Sequence, residues 1–168
     1  MVGGYAGKYL KVNLTDESID RIATDFEVAR KFVGGVGYAS YLLWTNTEPR
    51  IDPLDPRSLL IINTGPITGL LCSDRTNFTF KSPMTELIGH SHLGGPWGPE
   101  LKYAGFDGIL LTGKADRPVY ILVSDDDASI VEGKDVWGKT SVQTEIAIRE
   151  KHRDPLMQII SIGPAGEN

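Results

Sequence analysis

Two histidines separated by one residue, His90 and His92, are the first groups in this sequence that could do chemistry. On a strand, positions i and i+2 point to the same face, so both imidazoles could turn toward one metal ion. No Asp, Glu or Cys at a useful spacing completes the set, and two ligands rarely hold a metal. The pair therefore reads as polar histidines near a ligand or on the surface. Directly after it comes Leu93-Gly94-Gly95-Pro96-Trp97-Gly98. Glycines lack Cβ atoms and let backbone N–H and C=O groups touch an anionic or metal-bearing ligand. No Gly-Lys-Ser/Thr follows, and there is no GxGxxG, so neither nucleotide-loop pattern is present. Taken alone, the stretch reads as a structural turn.

Arg75 follows Cys72-Ser73-Asp74 and opens a predicted strand. A guanidinium at a strand–loop junction can fork onto phosphate or carboxylate. A surface pair with Asp74 or Glu86 is the plainer reading. Lys81 offers a second positive charge, to an anion or to water. Asp125-Asp126-Asp127 resembles a metal cluster but reads as the solvated tip of a hairpin. Cys72 has no adjacent histidine in sequence. No catalytic set emerges.

These residues must be positioned by strands and short helices. Residues 8–14 alternate apolar and polar, as a half-buried strand does, and residues 19–22 return beside them. Thr24 or Asp25 can cap a helix carrying Phe26, Ala29 and Val33, which breaks at the glycines from Gly34 to Gly37. Residues 38–44 read as a second, more apolar helix, and residues 59–63 as a buried strand. Residues 75–81 and 87–92 are strands, 100–104 a helical turn, and 107–112 another strand. Residues 119–123 and 129–131 form a hairpin, 142–151 a helix, and 157–166 an apolar strand ending in a Gly-Pro turn.

The last third resembles the first. Tyr9 and Tyr120, Val12 and Val123, Ser18 and Ser129, Ile19 and Ile130 align at a single offset. Each hairpin leads to a helix, then to an apolar strand with a Gly-Pro end: LLIINTGPIT in one case, MQIISIGPAG in the other. The expectation is an α+β fold built from duplicated hairpin–helix–strand units in one pseudo-symmetric domain. The two repeats fall at residues 1–75 and 106–168, with a ligand-facing middle segment between them.

Composition narrows the class. The chain has 168 residues, 17 Lys+Arg against 22 Asp+Glu, and a formal net charge of −5. A net acidic chain without a basic stripe argues against nucleic acid. One cysteine excludes a disulfide scaffold, a four-cysteine zinc site and a four-thiolate iron–sulfur cluster within this chain. No apolar run approaches the ~20 residues of a membrane span, and no signal peptide is visible, so a cytoplasmic location is expected. Glycine is the outlier, with 19 residues where ~7% is usual. The chain stops inside a turn motif, at Gly166-Glu167-Asn168, and reads as most of one domain.

In order and spacing, GKYLKVNLT, FVGGVGYASYLLW, DPLDP, LLIINTGPITG, KSPMTELIG, LGGPWGPELKYAGFDGILLTGKADRPVYI, VWGKT and ISIGPAGEN resemble the N-terminal domain of the tungsten-containing aldehyde ferredoxin oxidoreductases. The resemblance runs from Gly7 to Asn168. It implies the family's α+β domain, the base on which a tungsten bis-pterin cofactor sits, with magnesium bridging the pterin phosphates. It implies a cofactor contact from Arg75, six residues before Lys81-Ser82-Pro83. The family's Asn-Ser-Gly-Gly falls on His92, Leu93, Gly94 and Gly95, which meet the cofactor and, through the His92 backbone, the magnesium. Gly94 and Gly95 match; His92 and Leu93 depart, which leaves the substrate and the choice of tungsten or molybdenum open. The implied partners are C-terminal domains that carry a 4Fe–4S cluster, ferredoxin and, as an option, a second copy of the chain. By itself this segment is expected to be inactive. A related subunit with a non-aldehyde substrate, and a non-catalytic binding or assembly module, are the alternatives.

Overall fold

Alternating side chains along the strands build a sheet with two buried faces. The computed structural model describes residues 3–70 and 73–167. In chain order the elements are β1 Lys8–Asn13, β2 Ser18–Ala23, α1 Phe26–Phe32, α2 Gly35–Asn46, β3 Leu60–Asn63, β4 Thr76–Lys81, β5 Ile88–Leu93, α3 Trp97–Tyr103, β6 Gly108–Thr112, β7 Val119–Ser124, β8 Asp127–Glu132, α4 Ser141–His152 and α5 Gly163–Glu167. Six strands pair in the order β2-β1-β6-β3-β4-β5, and β7 and β8 form a separate pair. Among the described residues only β1 and β6 run parallel; the other ladders are antiparallel. This is the mixed α+β architecture expected. The central strand β6 comes from the second repeat span and lies between β1 and β3 of the first.

One face packs Tyr9, Ile61 and Leu110 against Val28 and Ala29 of α1 and Tyr38, Ala39 and Leu43 of α2. The other packs Leu10, Val12 and Ile109 against Leu101 of α3 and Phe106, with Ile121, Val123 and Ile130 of the β7–β8 hairpin over them. Adjacent residues thus serve opposite cores, which fixes the register: a one-residue slip would turn every side chain to the wrong face.

Asp25 caps α1, as expected, by accepting from the N–H groups of Glu27 and Val28 at 2.9 and 3.1 Å. α2 starts earlier than its apolar stretch suggests, at Gly35. The Gly35 N–H donates to the Thr64 carbonyl at 3.0 Å, so tertiary bonds carry the helix back into the glycines. The β7–β8 turn is shorter than expected, just Asp125 and Asp126, both at positive φ (42° and 67°), as a primed two-residue turn requires. Ile121 consequently faces Ile130, whereas Val12 faces Ile19. The shift is two residues, so Ile130 still points into the same core as Ile19. The Asp tip is also not simply solvated. Lys8 pairs with Asp126, and Arg21 with Asp127, docking the hairpin tip on β1 and β2.

The strand expected over residues 157–162 does not form. No described strand pairs with it, Ile160 and Ile162 are exposed, and the Gly-Pro segment after it is the short helix α5.

Tyr9 makes the fold sensitive to alkali. Its ring is 3% exposed and stacks on Tyr38 at 5.5 Å. Burial, above all, holds its pKa well above the ordinary 10.0; Asp107, Tyr38 and Tyr5 push the same way, and a bond with Asn63 opposes. The folded chain keeps this proton while the unfolded chain loses it. Stability should be intact below pH ~10 and fall above it by about 1.4 kcal/mol per pH unit for this one group. Urea midpoints at pH 9 and 11 will show the fall, and Tyr9→Phe will make it shallower.

Candidate functional site

The β4–β5 ladder brings the predicted residues together. Thr76 faces Leu93, so Arg75 and Gly94 meet just beyond the end of the sheet. The Gly95 N–H donates to Asp74 Oδ2 at 2.8 Å, tying the glycine loop to the start of β4. A Cβ built on Gly94 would lie 3.7 Å from Arg75 Nη1 and 3.9 Å from Asp74 Oδ2. Arg75 is exposed, and among the described residues it forms no ion pair, neither with Asp74 nor with Glu86. Gly95 has φ +96°, and a Cβ there would project into open space. A guanidinium in no ion pair among the described residues, with the neighbouring Asp74 carboxylate turned to the Gly95 N–H, suits a flat, anionic ligand over two side-chain-free residues.

The loop after β3 completes this end of the sheet. Thr68 Oγ1 accepts from the Gly65 N–H at 3.1 Å and donates to the Arg75 carbonyl at 3.3 Å. Lys102, from α3, donates to the carbonyls of Gly65 (2.9 Å), Pro66 (3.5 Å) and Gly4. Burial holds its pKa below the ordinary lysine value, with Asp107 opposing. Tyr103 donates to the Gly69 carbonyl at 3.0 Å. Three loops and α3 are thus fixed around Arg75.

His92 and Leu93 close β5. His92 is exposed and faces Asn77; Leu93 is half-buried. His90 is exposed two residues earlier, with Nδ1 3.3 Å from Thr79 Oγ1. Lys81 is not offered to a ligand: its ammonium donates to the Ile51 carbonyl at 2.6 Å. Cys72 lies outside the described residues. Among those residues no three His, Cys, Asp or Glu side chains could hold a metal together. A hollow of about 410 Å³ lined by Val131, Glu132, Lys134, Asp135 and Lys151 contains none of the strand-end residues. It is open, and its Lys151 is already paired with Asp135, so the strand end is the stronger candidate.

Sequence reasoning misses Lys102 and the part Asp74 plays. In the sequence Asp74 reads only as a partner for Arg75. Its adjacency to Arg75 and the paired glycines is a signal visible only once β4 and β5 are placed in register.

Fold and site together define an α+β domain that offers an open surface of glycine backbone and arginine. A family profile described as "Aldehyde ferredoxin oxidoreductase, N-terminal domain" matches residues 9–168. A tungsten-containing aldehyde ferredoxin oxidoreductase of Pyrococcus abyssi is 44% identical over 167 residues, covering 98% of this chain and 28% of that protein. The aliphatic sulfonate oxidoreductase WOR-like subunit of Pyrococcus furiosus is 38% identical, covering 98% and 29%. The solved active-site complex BamBC of benzoyl coenzyme A reductase, in complex with 1,5-dienoyl-CoA, superposes with a TM-score of 0.97 at 36% identity, over 100% of this chain and 26% of that one. The chain belongs to the aldehyde ferredoxin oxidoreductase family, as its N-terminal domain. It spans 28% of the length of the aldehyde-oxidising relatives it matches.

Proposed function

We propose that this domain is the floor for a tungsten bis-pterin in an oxidoreductase that converts aldehydes to carboxylic acids. The observation that carries the reading is Arg75, exposed beside Gly94 and Gly95 and in no ion pair among the described residues. When bound, the cofactor supplies the redox chemistry: an aldehyde and water give the acid, two protons and two electrons, and the electrons pass to ferredoxin. The chain's own residues bind and orient. Arg75 holds a pterin phosphate by a charge-assisted fork. Gly94 and Gly95 let the flat ligand approach the backbone. The His92 carbonyl would be a ligand to the magnesium, molybdenum being the alternative to tungsten at the centre. Asp74 keeps the loop in place from behind.

The 4Fe–4S cluster and the proton-transfer groups belong to further domains, since one cysteine cannot hold a cluster. This domain alone will not oxidise aldehydes, and its working partners are those domains and ferredoxin, in the cytoplasm. His92 and Leu93, where the family has Asn-Ser, favour a second reading: a related subunit acting on a non-aldehyde substrate.

The test is metal content. Purified with the domains that follow it in its relatives, the protein should retain about one tungsten per polypeptide. Arg75→Gln should lower retention about ten- to a hundredfold, the loss of one charged hydrogen-bonded contact. Unchanged tungsten in the variant overturns the role of Arg75. Absence of both tungsten and molybdenum from the parent overturns the reading as a whole.

A further inference from the structure

The two halves of the chain place corresponding residues alike. Tyr9 of β1 stacks on Tyr38 of α2; its counterpart Tyr120, on β7, sets its ring edge-on against His152 of α4, with its hydroxyl 2.8 Å from Nε2. Leu10 and Val12 enter the second core beside Ile19, and Ile121 and Val123 enter the same core beside Ile130. A Cβ on Gly34, just before α2, would lie 3.1 Å from Gly65 Cα, and a Cβ on Gly163 would lie 3.4 Å from Ser141 Oγ at the start of α4. Residues 157–163 (MQIISIG) thus return to the head of α4 as residues 59–65 (LLIINTG) return to the head of α2.

In the first unit β1 and β3 are not neighbours. β6 lies between them, parallel to β1 and antiparallel to β3. In the second unit no described strand holds that position, and β7 pairs with β8 alone. Ser124 faces Asp127 across the two-residue turn, so Tyr120, Leu122 and Ser124 bond to β8. Val119, Ile121 and Val123 turn their backbone groups to the other edge, where no hydrogen bond among the described residues meets them. The N–H groups of residues 158–162 are likewise without a described partner. Burial divides the same way. Tyr9, Leu10 and Val12 are buried, whereas Tyr120, Ile121 and Val123 are half-buried. Thr64 is 3% exposed and its counterpart Ile162 is 65% exposed.

Two rows of unbonded backbone flanked by apolar side chains are a template for one more strand. We propose that β7 and residues 157–162 receive a strand between them, from the polypeptide that in the aldehyde-oxidising relatives extends beyond the 28% matched by this chain. It runs parallel to β7 and antiparallel to residues 157–162, as β6 runs to β1 and β3. Like β6 (GILLT) it is a short apolar run, because both of its faces are covered. A second copy of the chain fits less well: a twofold axis through the edge sets β7 antiparallel to its mate and leaves residues 157–162 unpaired. The inference rests on the repeat and on family membership, and not on the cofactor.

The test is amide hydrogen exchange, resolved to single residues by fragmentation mass spectrometry. It compares the chain alone with the protein that carries the domains following it in its relatives. In the longer protein Ile121, Val123 and residues 159–161 should exchange at least about a hundredfold more slowly than in the chain alone. Leu10 and Val12, which β6 already covers, should be protected in both and report that the domain is folded. Ile160 and Leu54 are both exposed. In the longer protein Ile160→Lys should speed exchange at Ile121 and Val123 at least about tenfold, and Leu54→Lys, away from the slot, should not. Unchanged exchange at Ile121 and Val123 between the two proteins overturns the proposal, as does an equal effect of the two lysine variants. Protection that appears in the chain alone and grows with its concentration also overturns it, in favour of a second copy. Slowed exchange in a protein without tungsten or molybdenum upholds the strand while the cofactor reading falls.

Discussion

Asp107→Ala will destabilise the domain by about 3–5 kcal/mol, the loss expected when buried donors are stripped of a charged acceptor. Asp107 is 2% exposed. Its carboxylate accepts from the N–H groups of Ala6 and Gly7, both at 2.8 Å, and from the Thr24 hydroxyl at 2.7 Å. The Asp107 main chain meets the Lys8 carbonyl at 2.7 Å and the Thr64 N–H at 3.0 Å. One residue thus joins the chain before β1, the end of β2 and the loop after β3. Alanine leaves three donors facing an apolar gap. The conservative change Asp107→Asn retains one acceptor oxygen and should cost less. Urea denaturation at pH 7 measures the loss in each variant. An Asp107→Ala chain as stable as the parent would mean that these bonds are replaced by solvent.

What could be read from the sequence was local, and what could not depended on which strands meet. The β1–β2 and β7–β8 hairpins, the Asp25 cap and the apolar faces of β3 and β6 follow from residue type and period. The start of α3 does not. Pro96, Gly98 and Pro99 look like loop residues, yet the first turn of a helix tolerates proline because its N–H groups have no intrahelical partner. α3 begins at Trp97. Residues 157–162 failed for the opposite reason: their pattern suits a strand, but a strand also needs a neighbour. The site was similarly split. Arg75 and the glycine pair were legible through the family resemblance, while the Gly95–Asp74 bond joins positions 21 residues apart and arises from register alone. The buried hydrogen bonds that run from the Gly35 carbonyl through Asn63 and Asn77 to Thr79 cross a helix end and two strands, so no spacing within any one of them announces them.

Gly98→Ala is the other substitution expected to have a large effect, and it links packing to the site. Gly98 is buried in the first turn of α3. A Cβ there would lie 2.4 Å from Thr76 Oγ1, 3.4 Å from Thr68 Cγ2 and 3.5 Å from Thr64 Cγ2. The first distance is impossible, and Thr76 is fully buried at the start of β4, so it cannot swing into solvent. Either α3 lifts off the sheet or β4 shifts. Overpacking of this kind costs about 1–3 kcal/mol. The lift also moves the loop at Gly94 and Gly95 away from Arg75, so tungsten retention should fall with the arginine intact. Thr76→Ala creates the space that the new methyl needs. The hydroxyl it removes has no hydrogen-bond partner among the described residues, so little is lost with it. The double variant Thr76→Ala with Gly98→Ala should therefore be more stable than Gly98→Ala alone, a favourable coupling that a thermal-denaturation cycle reads directly. If the two losses simply add, the contact between Gly98 and Thr76 is not what sets α3 against β4.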